Sequence, residues 1–169
     1  MKGGKSMSLS PVDSDFIQNA VSKYLDMVLR IAYQNTRNQA DAEDVAQEVF
    51  IKLMKQPQFN DEGHMKAWLI RVTVNQCKDL KKSFWHRNTV AISEDRSVSE
   101  NTYEEVWTEL RKLPKNQRNV IYLYYYEEYT VPEIAEILGR KVNTVSSWLT
   151  RGRKRLKQIL EEGDAFYDK

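Results

Sequence analysis

The stretch Thr130-Val-Pro-Glu-Ile-Ala-Glu-Ile-Leu-Gly-Arg-Lys-Val-Asn-Thr-Val-Ser-Ser-Trp-Leu-Thr-Arg-Gly-Arg-Lys-Arg-Leu-Lys-Gln-Ile-Leu160 carries two helical patterns divided by a glycine. Thr130 and Glu133 have the spacing of a capping box, and Pro132 falls in the first turn, where a missing N–H costs little. Ile134, Ala135, Ile137 and Leu138 give this short helix one apolar side, and Gly139 is placed to end it in a left-handed turn. The last helix begins near Asn143 and carries Val145, Leu149, Leu156, Ile159 and Leu160 on its apolar side. Two helices around a tight glycine turn, with small Ala135 at the crossing and branched Val145 as the early anchor, describe a helix-turn-helix. Asn143, Thr144, Ser146, Ser147 and Thr150 are short hydrogen-bonding side chains suited to base edges. Arg151, Arg153, Lys154 and Arg155 beyond them would meet phosphates.

Working upstream, Thr102-Tyr-Glu-Glu105 reads as a second capping box, opening a short helix through Trp107 and Leu110 to about Lys112. Pro114 suits the first position of a helix reaching about Tyr126. From Asn88 to Asn101 no apolar period survives, which reads as a linker. Before it, a first helix spans about Ser14 to Gln34, with Phe16, Ile17, Ala20, Tyr24, Val28 and Ile31 among its apolar residues. A second starts with Asp41 as N-cap and carries Ala42, Val45, Ala46, Val49, Phe50 and Leu53; Pro57 closes it. A third starts near His64. Its outer stripe, Arg71, Asn75, Lys78 and Lys82, is spaced 4, 3 and 4, so these side chains share one face. Nothing reads as a strand. The expected fold is all-α: an N-terminal domain of three to four helices (14–87), a flexible linker (88–101) and a four-helix domain with the helix-turn-helix (102–162). Tails are expected at 1–13 and 163–169.

Composition narrows the function class. The 169 residues are 30% charged and 41% hydrophobic, the balance of a soluble, largely helical protein. One cysteine, Cys77, excludes a disulfide framework and a cysteine-built zinc site within the chain, and two histidines make no convincing metal centre. No cofactor or metal is expected. The first ten residues carry no apolar run, so no signal peptide is expected, and no membrane insertion. There is no phosphate loop, nucleophile elbow or paired-His motif, and catalysis is not expected.

Net charge is only +2, but the charges are segregated. Gly139 to Leu160 holds seven basic residues and no acidic one, while Asp41 to Phe50 holds Asp41, Glu43, Asp44 and Glu48 and no basic one. Segregation of this kind suits different partners for different segments. Helix-dipole compensation explains Asp41 and Glu43. Asp44 and Glu48 stand four apart, where like charges cost about 0.2–0.5 kcal/mol in a free helix, so a basic partner is the better account.

Asp41-Ala-Glu-Asp-Val-Ala-Gln-Glu-Val-Phe50, Ala67-Trp-Leu-Ile-Arg71 with Asn75 and Asp79, Leu113-Pro114, Arg118, Glu133-Ile-Ala135, Leu138-Gly139, Thr144-Val145, Leu149 and Arg151 together resemble the bacterial sigma-70 family of RNA polymerase sigma factors. The resemblance is to its small extracytoplasmic-function (ECF) group, over about residues 14–160. It implies a sigma-2-like domain that docks its acidic helix on the β′ clamp helices of core RNA polymerase, which maps onto Asp44, Gln47 and Glu48, with Asp41 and Glu43 less strongly. It implies a −10 loop at Asn60, Asp61, Glu62, Gly63 and His64, with Arg71, Asn75, Lys78 and Lys82 tracking single-stranded DNA. Trp85, between Phe84 and His86, would either stack on bases or pack at the helix end. The sigma-4-like domain would read the −35 duplex with Val142, Asn143, Thr144, Ser146, Ser147, Thr150 and Arg151, aided by Arg153, Lys154 and Arg155. Lys141, Ser146 and Trp148 depart from the family pattern, and Trp148 would either pack on the preceding helix or lie along the sugar backbone.

Implied partners are core RNA polymerase through β′ and β, promoter DNA and an anti-sigma factor, with no small-molecule substrate. The implied location is the cytoplasm, at the nucleoid when active or held near the membrane by the antagonist. The run Tyr122 to Tyr129 would belong to an antagonist surface or to the second domain's core. A stand-alone helix-turn-helix regulator and a sigma-like decoy are the alternatives.

Overall fold

The computed structural model describes residues 14–56, 58–87 and 104–167. The chain divides into two compact units, Met1–Arg96 and Ser97–Lys169. The first contains α1 (Ser14–Thr36), α2 (Gln39–Lys55) and α3 (Glu62–Arg87), and the second α4 (Glu104–Arg111), α5 (Lys115–Tyr125), α6 (Val131–Leu138) and α7 (Val142–Tyr167). The fold is all-α, and no strand forms among the described residues.

In the first unit α1, α2 and α3 pack mutually. Their apolar stripes interlock: Val28, Ile31 and Ala32 of α1, Val45, Val49 and Leu53 of α2, and Leu69, Ile70 and Cys77 of α3 are almost wholly buried. The α1–α2 turn differs from expectation. Arg37 takes a left-handed conformation (φ 58°) and ends α1, and Asn38, not Asp41, is the N-cap of α2. Asn38 Oδ1 accepts the Asp41 N–H at 3.0 Å, which puts Asp41 in the third helical position. The extended backbone of Asn38 (φ −142°, ψ 129°) brings its short side chain back to that donor; a cap at Asp41 would have left it unserved.

In the second unit α4, α5 and α6 all pack on α7. Pro114 is the N-cap of α5 (ψ 144°), one place before the expected position, and its carbonyl accepts the Arg118 N–H at 2.9 Å. Arg118 is 3% exposed, and its Nη1 donates to the Arg111 carbonyl at 3.1 Å, tying the end of α4 to α5. The capping box at Thr130 forms: the Glu133 carboxylate accepts the Thr130 N–H at 2.8 Å and its hydroxyl at 2.7 Å. These two bonds hold the Glu133 carboxyl below its ordinary range. Gly139 stands at φ 61°, and the Arg140 N–H reaches back to the Ala135 carbonyl at 2.8 Å, closing the expected left-handed turn. Ala135, Val145 and Leu149 are buried at the crossing.

Helix α7 continues to Tyr167 through the segment expected as a tail from residue 163. A lone Gly163 costs a helix only about 1 kcal/mol, and no proline follows it, so nothing there stops propagation. The expected tail 1–13, linker 88–101 and Thr102 cap lie outside the described residues.

Candidate nucleic-acid interface

Each residue of an α-helix turns about 100° from the last, so burial of Val145, Gly152 and Leu149 on α7 fixes what faces out. Asn143, Ser147, Thr150 and Lys154, spaced 4, 3 and 4, lie opposite that buried line, and all four are exposed. Val142 (47% exposed), Ser146 and Arg151 flank them, while Thr144 is half-buried. The helix thus presents short hydrogen-bonding side chains in its first two turns and cations beyond, the order a major-groove helix needs. Arg151, Lys154 and Arg155 line an open groove of ≈ 530 Å³ with Lys112 and Gln117 of the α4–α5 region. Trp148 is half-buried, with the Arg140 guanidinium 6.0 Å from its ring centroid.

Arg153 is placed differently. Its Nε donates to Tyr125 Oη at 2.6 Å, and its guanidinium lies 5.0 Å and 5.5 Å from the Tyr124 and Tyr125 ring centroids. It is turned toward α5 and away from the Asn143–Lys154 line. The tyrosine run divides as well. Tyr122 is buried, stacks on Tyr126 at 5.3 Å and donates to Glu127 Oε1 at 2.6 Å, whereas Tyr125 and Tyr126 are exposed. Ile121, Tyr125, Leu156 and Leu160 line an apolar groove of ≈ 320 Å³ between α5 and α7.

In the first unit, burial of Val45, Val49 and Leu53 turns Asp44, Gln47 and Glu48 outward, and all three are exposed. Asp41 sits at the edge of that face, where burial first and the Asp44 charge second raise its carboxyl above the usual range. Two residues the sequence reading passed over belong here: Ile51 (42% exposed) and Met54 (58%) lie seven and ten residues beyond Asp44 on the same side. An apolar pair outside the buried stripe of an otherwise well-patterned helix was the signal available.

The loop before α3 is built on Phe59, which is 1% exposed and packs edge-on against His64 and Trp68, each at 5.5 Å. The segment between α2 and α3 thus contains a core residue. Asn60, Asp61, Glu62, Gly63 and His64 are all exposed. Asp61 Oδ1 accepts the His64 N–H at 2.7 Å and caps α3, and His64 Nδ1 accepts the Asn60 N–H at 3.3 Å. On α3, Arg71, Asn75 and Lys82 are exposed and Lys78 is half-buried, on the face opposite Leu69 and Cys77. The Trp85 side chain lies outside the described residues. No cluster of three metal-ligating side chains occurs among the described residues, and none of their helices is long and apolar enough to cross a membrane.

These elements define a two-unit helical protein, one unit bearing an acidic and apolar face beside a basic stripe, the other a helix-turn-helix. Residues 20–87 match the model of sigma-70 region 2, and residues 103–156 that of sigma-70 region 4. The chain is 31% identical over 153 residues to the ECF RNA polymerase sigma factor SigE of Mycolicibacterium smegmatis, covering 83% of this chain and 60% of that protein. It is 29% identical over 171 residues to the ECF RNA polymerase sigma factor SigW of Bacillus subtilis, covering 89% of this chain and 91% of that one. Its fold matches the sigma factor RpoE of Bartonella quintana, solved in complex with the anti-sigma factor NepR, with a TM-score of 0.71 at 24% identity over 88% of this chain and 98% of that one. The chain belongs to the sigma-70 family, in its ECF group, and is an RNA polymerase sigma factor.

Proposed function

We propose that the first unit docks on core RNA polymerase through Asp44, Gln47, Glu48, Ile51 and Met54, and that the second reads a −35 duplex with the outer face of α7. The observation that carries this reading is the face of α2: two carboxylates and two large apolar side chains point outward from a helix whose inner stripe is already complete. An apolar patch rimmed by one sign of charge suits a basic, partly apolar partner helix. Arg71, Asn75, Lys78 and Lys82 then track the backbone of the opened strand, and the loop 60–64 meets the −10 bases. On α7, Asn143, Ser146, Ser147 and Thr150 address base edges, and Arg151, Lys154 and Arg155 address phosphates.

An anti-sigma partner fits the apolar part of the α2 face and the apolar groove between α5 and α7. Ile51, Met54, Tyr125 and Leu160 are large, exposed and apolar, and the similar-fold RpoE was solved with such a partner. The test is run-off transcription on a pool of genomic fragments, using purified core polymerase with and without the protein. Transcripts that depend on the protein and share two upstream elements are expected. Tight core binding without any such transcripts would make the chain a decoy.

A further inference from the structure

Glu62, the first residue of α3, lies in the segment proposed to meet the −10 bases, and its half-exposed carboxylate reaches α1. Oε1 accepts the Tyr24 hydroxyl at 2.7 Å and pairs with the Lys23 ammonium, joining residues 38 and 39 positions apart. The Lys23 Nζ in turn lies 5.7 Å from the Tyr24 ring centroid, so the three side chains form one cluster. Tyr24 is 6% exposed, held by the packing of α1 on α3, and can present its hydroxyl in few other directions. The two bonds also keep the Glu62 carboxyl ionised below its ordinary range, Lys23 contributing most.

The rest of the loop is fixed from the other side. Phe59 is its buried plug, and Asp61 is occupied in capping the His64 amide. A Cβ on Gly63 would stand 3.2 Å from Asp61 Oδ1, so the turn is close-packed there. Asp61 and Glu62, though exposed, have their carboxylates engaged by protein donors, and Asn60 and His64 are exposed beside them.

We infer that Lys23 and Tyr24 are positioning residues for −10 recognition: they hold Glu62 against α1 and so fix the backbone on which Asn60 and His64 meet the strand, Glu62 being an anchor and not a base contact. This rests on the −10 reading given above. A site that must discriminate bases needs its supporting groups locked, because a loop free to shift by an ångström loses the geometry that separates right from wrong.

The test uses the full chain with core polymerase on a template library randomised at both promoter elements, with run-off products sequenced. Tyr24→Phe removes one hydroxyl and keeps the ring. It is expected to lower base preference at −10 about 3- to 10-fold, the worth of one hydrogen bond, with −35 preference and core affinity unchanged. Glu62→Ala should do the same, and the double variant should be no worse than either. Lys23→Met, at an exposed side chain, gives an independent reading should Tyr24→Phe disturb folding. Loss of −10 preference in Glu62→Ala with none in Tyr24→Phe or Lys23→Met would overturn the inference and make Glu62 a direct base contact. Equal losses at −10 and −35 would also overturn it, as general destabilisation. Absence of protein-dependent transcripts with the wild-type chain would instead remove the −10 reading itself.

Discussion

Gly152 of α7 and Ile121 of α5 touch so closely that a Cβ on the glycine would stand 3.0 Å from Ile121 Cγ1 and 3.3 Å from its Cδ1. This explains a glycine between Arg151 and Arg153, where it costs the helix about 1 kcal/mol. The site is tight because the Ile121 side chain of α5 lies directly against the backbone of α7, so an added Cβ would force that side chain to shift. Gly152→Val should therefore destabilise the second unit by about 1–3 kcal/mol through overpacking, read as a lower midpoint in urea unfolding. Gly152→Ala should fall well short of that loss, since its helical gain offsets a smaller clash.

The neighbours of Gly152 should behave unequally toward DNA. Arg151 faces the proposed duplex, and Arg151→Ala is expected to weaken −35 binding by about 1–3 kcal/mol. Arg153 is held by Tyr124 and Tyr125. Its alanine variant should instead lower stability by about 0.5–1 kcal/mol, with a smaller effect on −35 affinity. Fluorescence titration of a −35 duplex at physiological salt, paired with thermal unfolding, separates the two.

Polymerase docking can be tested without disturbing the core of the first unit. Asp44 and Glu48 are exposed, so Asp44→Lys with Glu48→Lys should leave helicity intact and abolish co-elution with core polymerase. Ile51→Asp should weaken the complex on its own. A folded double variant that binds core at full affinity would remove α2 from the interface.

Gln34 is 5% exposed, and neither of its amide atoms has a hydrogen-bond partner among the described residues. An unsatisfied buried polar group costs about 1–3 kcal/mol. Gln34→Met, similar in length and without that penalty, is expected to raise the melting temperature. An unchanged or lower value would mean that the amide is satisfied in solution.

Stability should fall on the alkaline side through Tyr129. Burial, with the charges of Glu127 and Glu133, pushes its hydroxyl up to about 12 from 10.0. The folded state therefore holds the proton more tightly than the unfolded one. This contribution is complete below the unfolded value and is lost as pH rises from 10.0 toward 12. Tyr129→Phe should flatten that limb of the unfolding midpoint against pH, and tyrosinate absorbance should show one late-titrating group.

The sequence exposed those features whose cause is local. Thr130 with Glu133 is a capping box in any context, Gly139 favours the left-handed turn it takes, and the 4, 3, 4 spacing of Arg71 to Lys82 places them on one face before any packing is known. What stayed hidden depends on partners far along the chain. Phe59 looks like a loop residue until Trp68 and His64 close over it. The contacts of Arg153 with Tyr124 and Tyr125 are invisible until α5 packs on α7. The cap at Asn38 depended on the left-handed turn at Arg37, which its residue type does not announce. The reach of Glu62 to Tyr24 stayed hidden as well, because that bond spans 38 residues.

The central claim is that two units of one chain read two DNA elements only as part of a polymerase complex. The most direct measurement is footprinting of a selected promoter by the chain alone and by the chain with core polymerase, scoring −35 protection and strand opening at −10. The account predicts both signals with core polymerase, loss of opening but not −35 protection in an Arg71→Ala, Lys78→Ala, Lys82→Ala variant, and the reverse weighting for Arg151→Ala. Strong protection of a palindromic site by the chain alone, unchanged by polymerase, would contradict it and mark a stand-alone regulator.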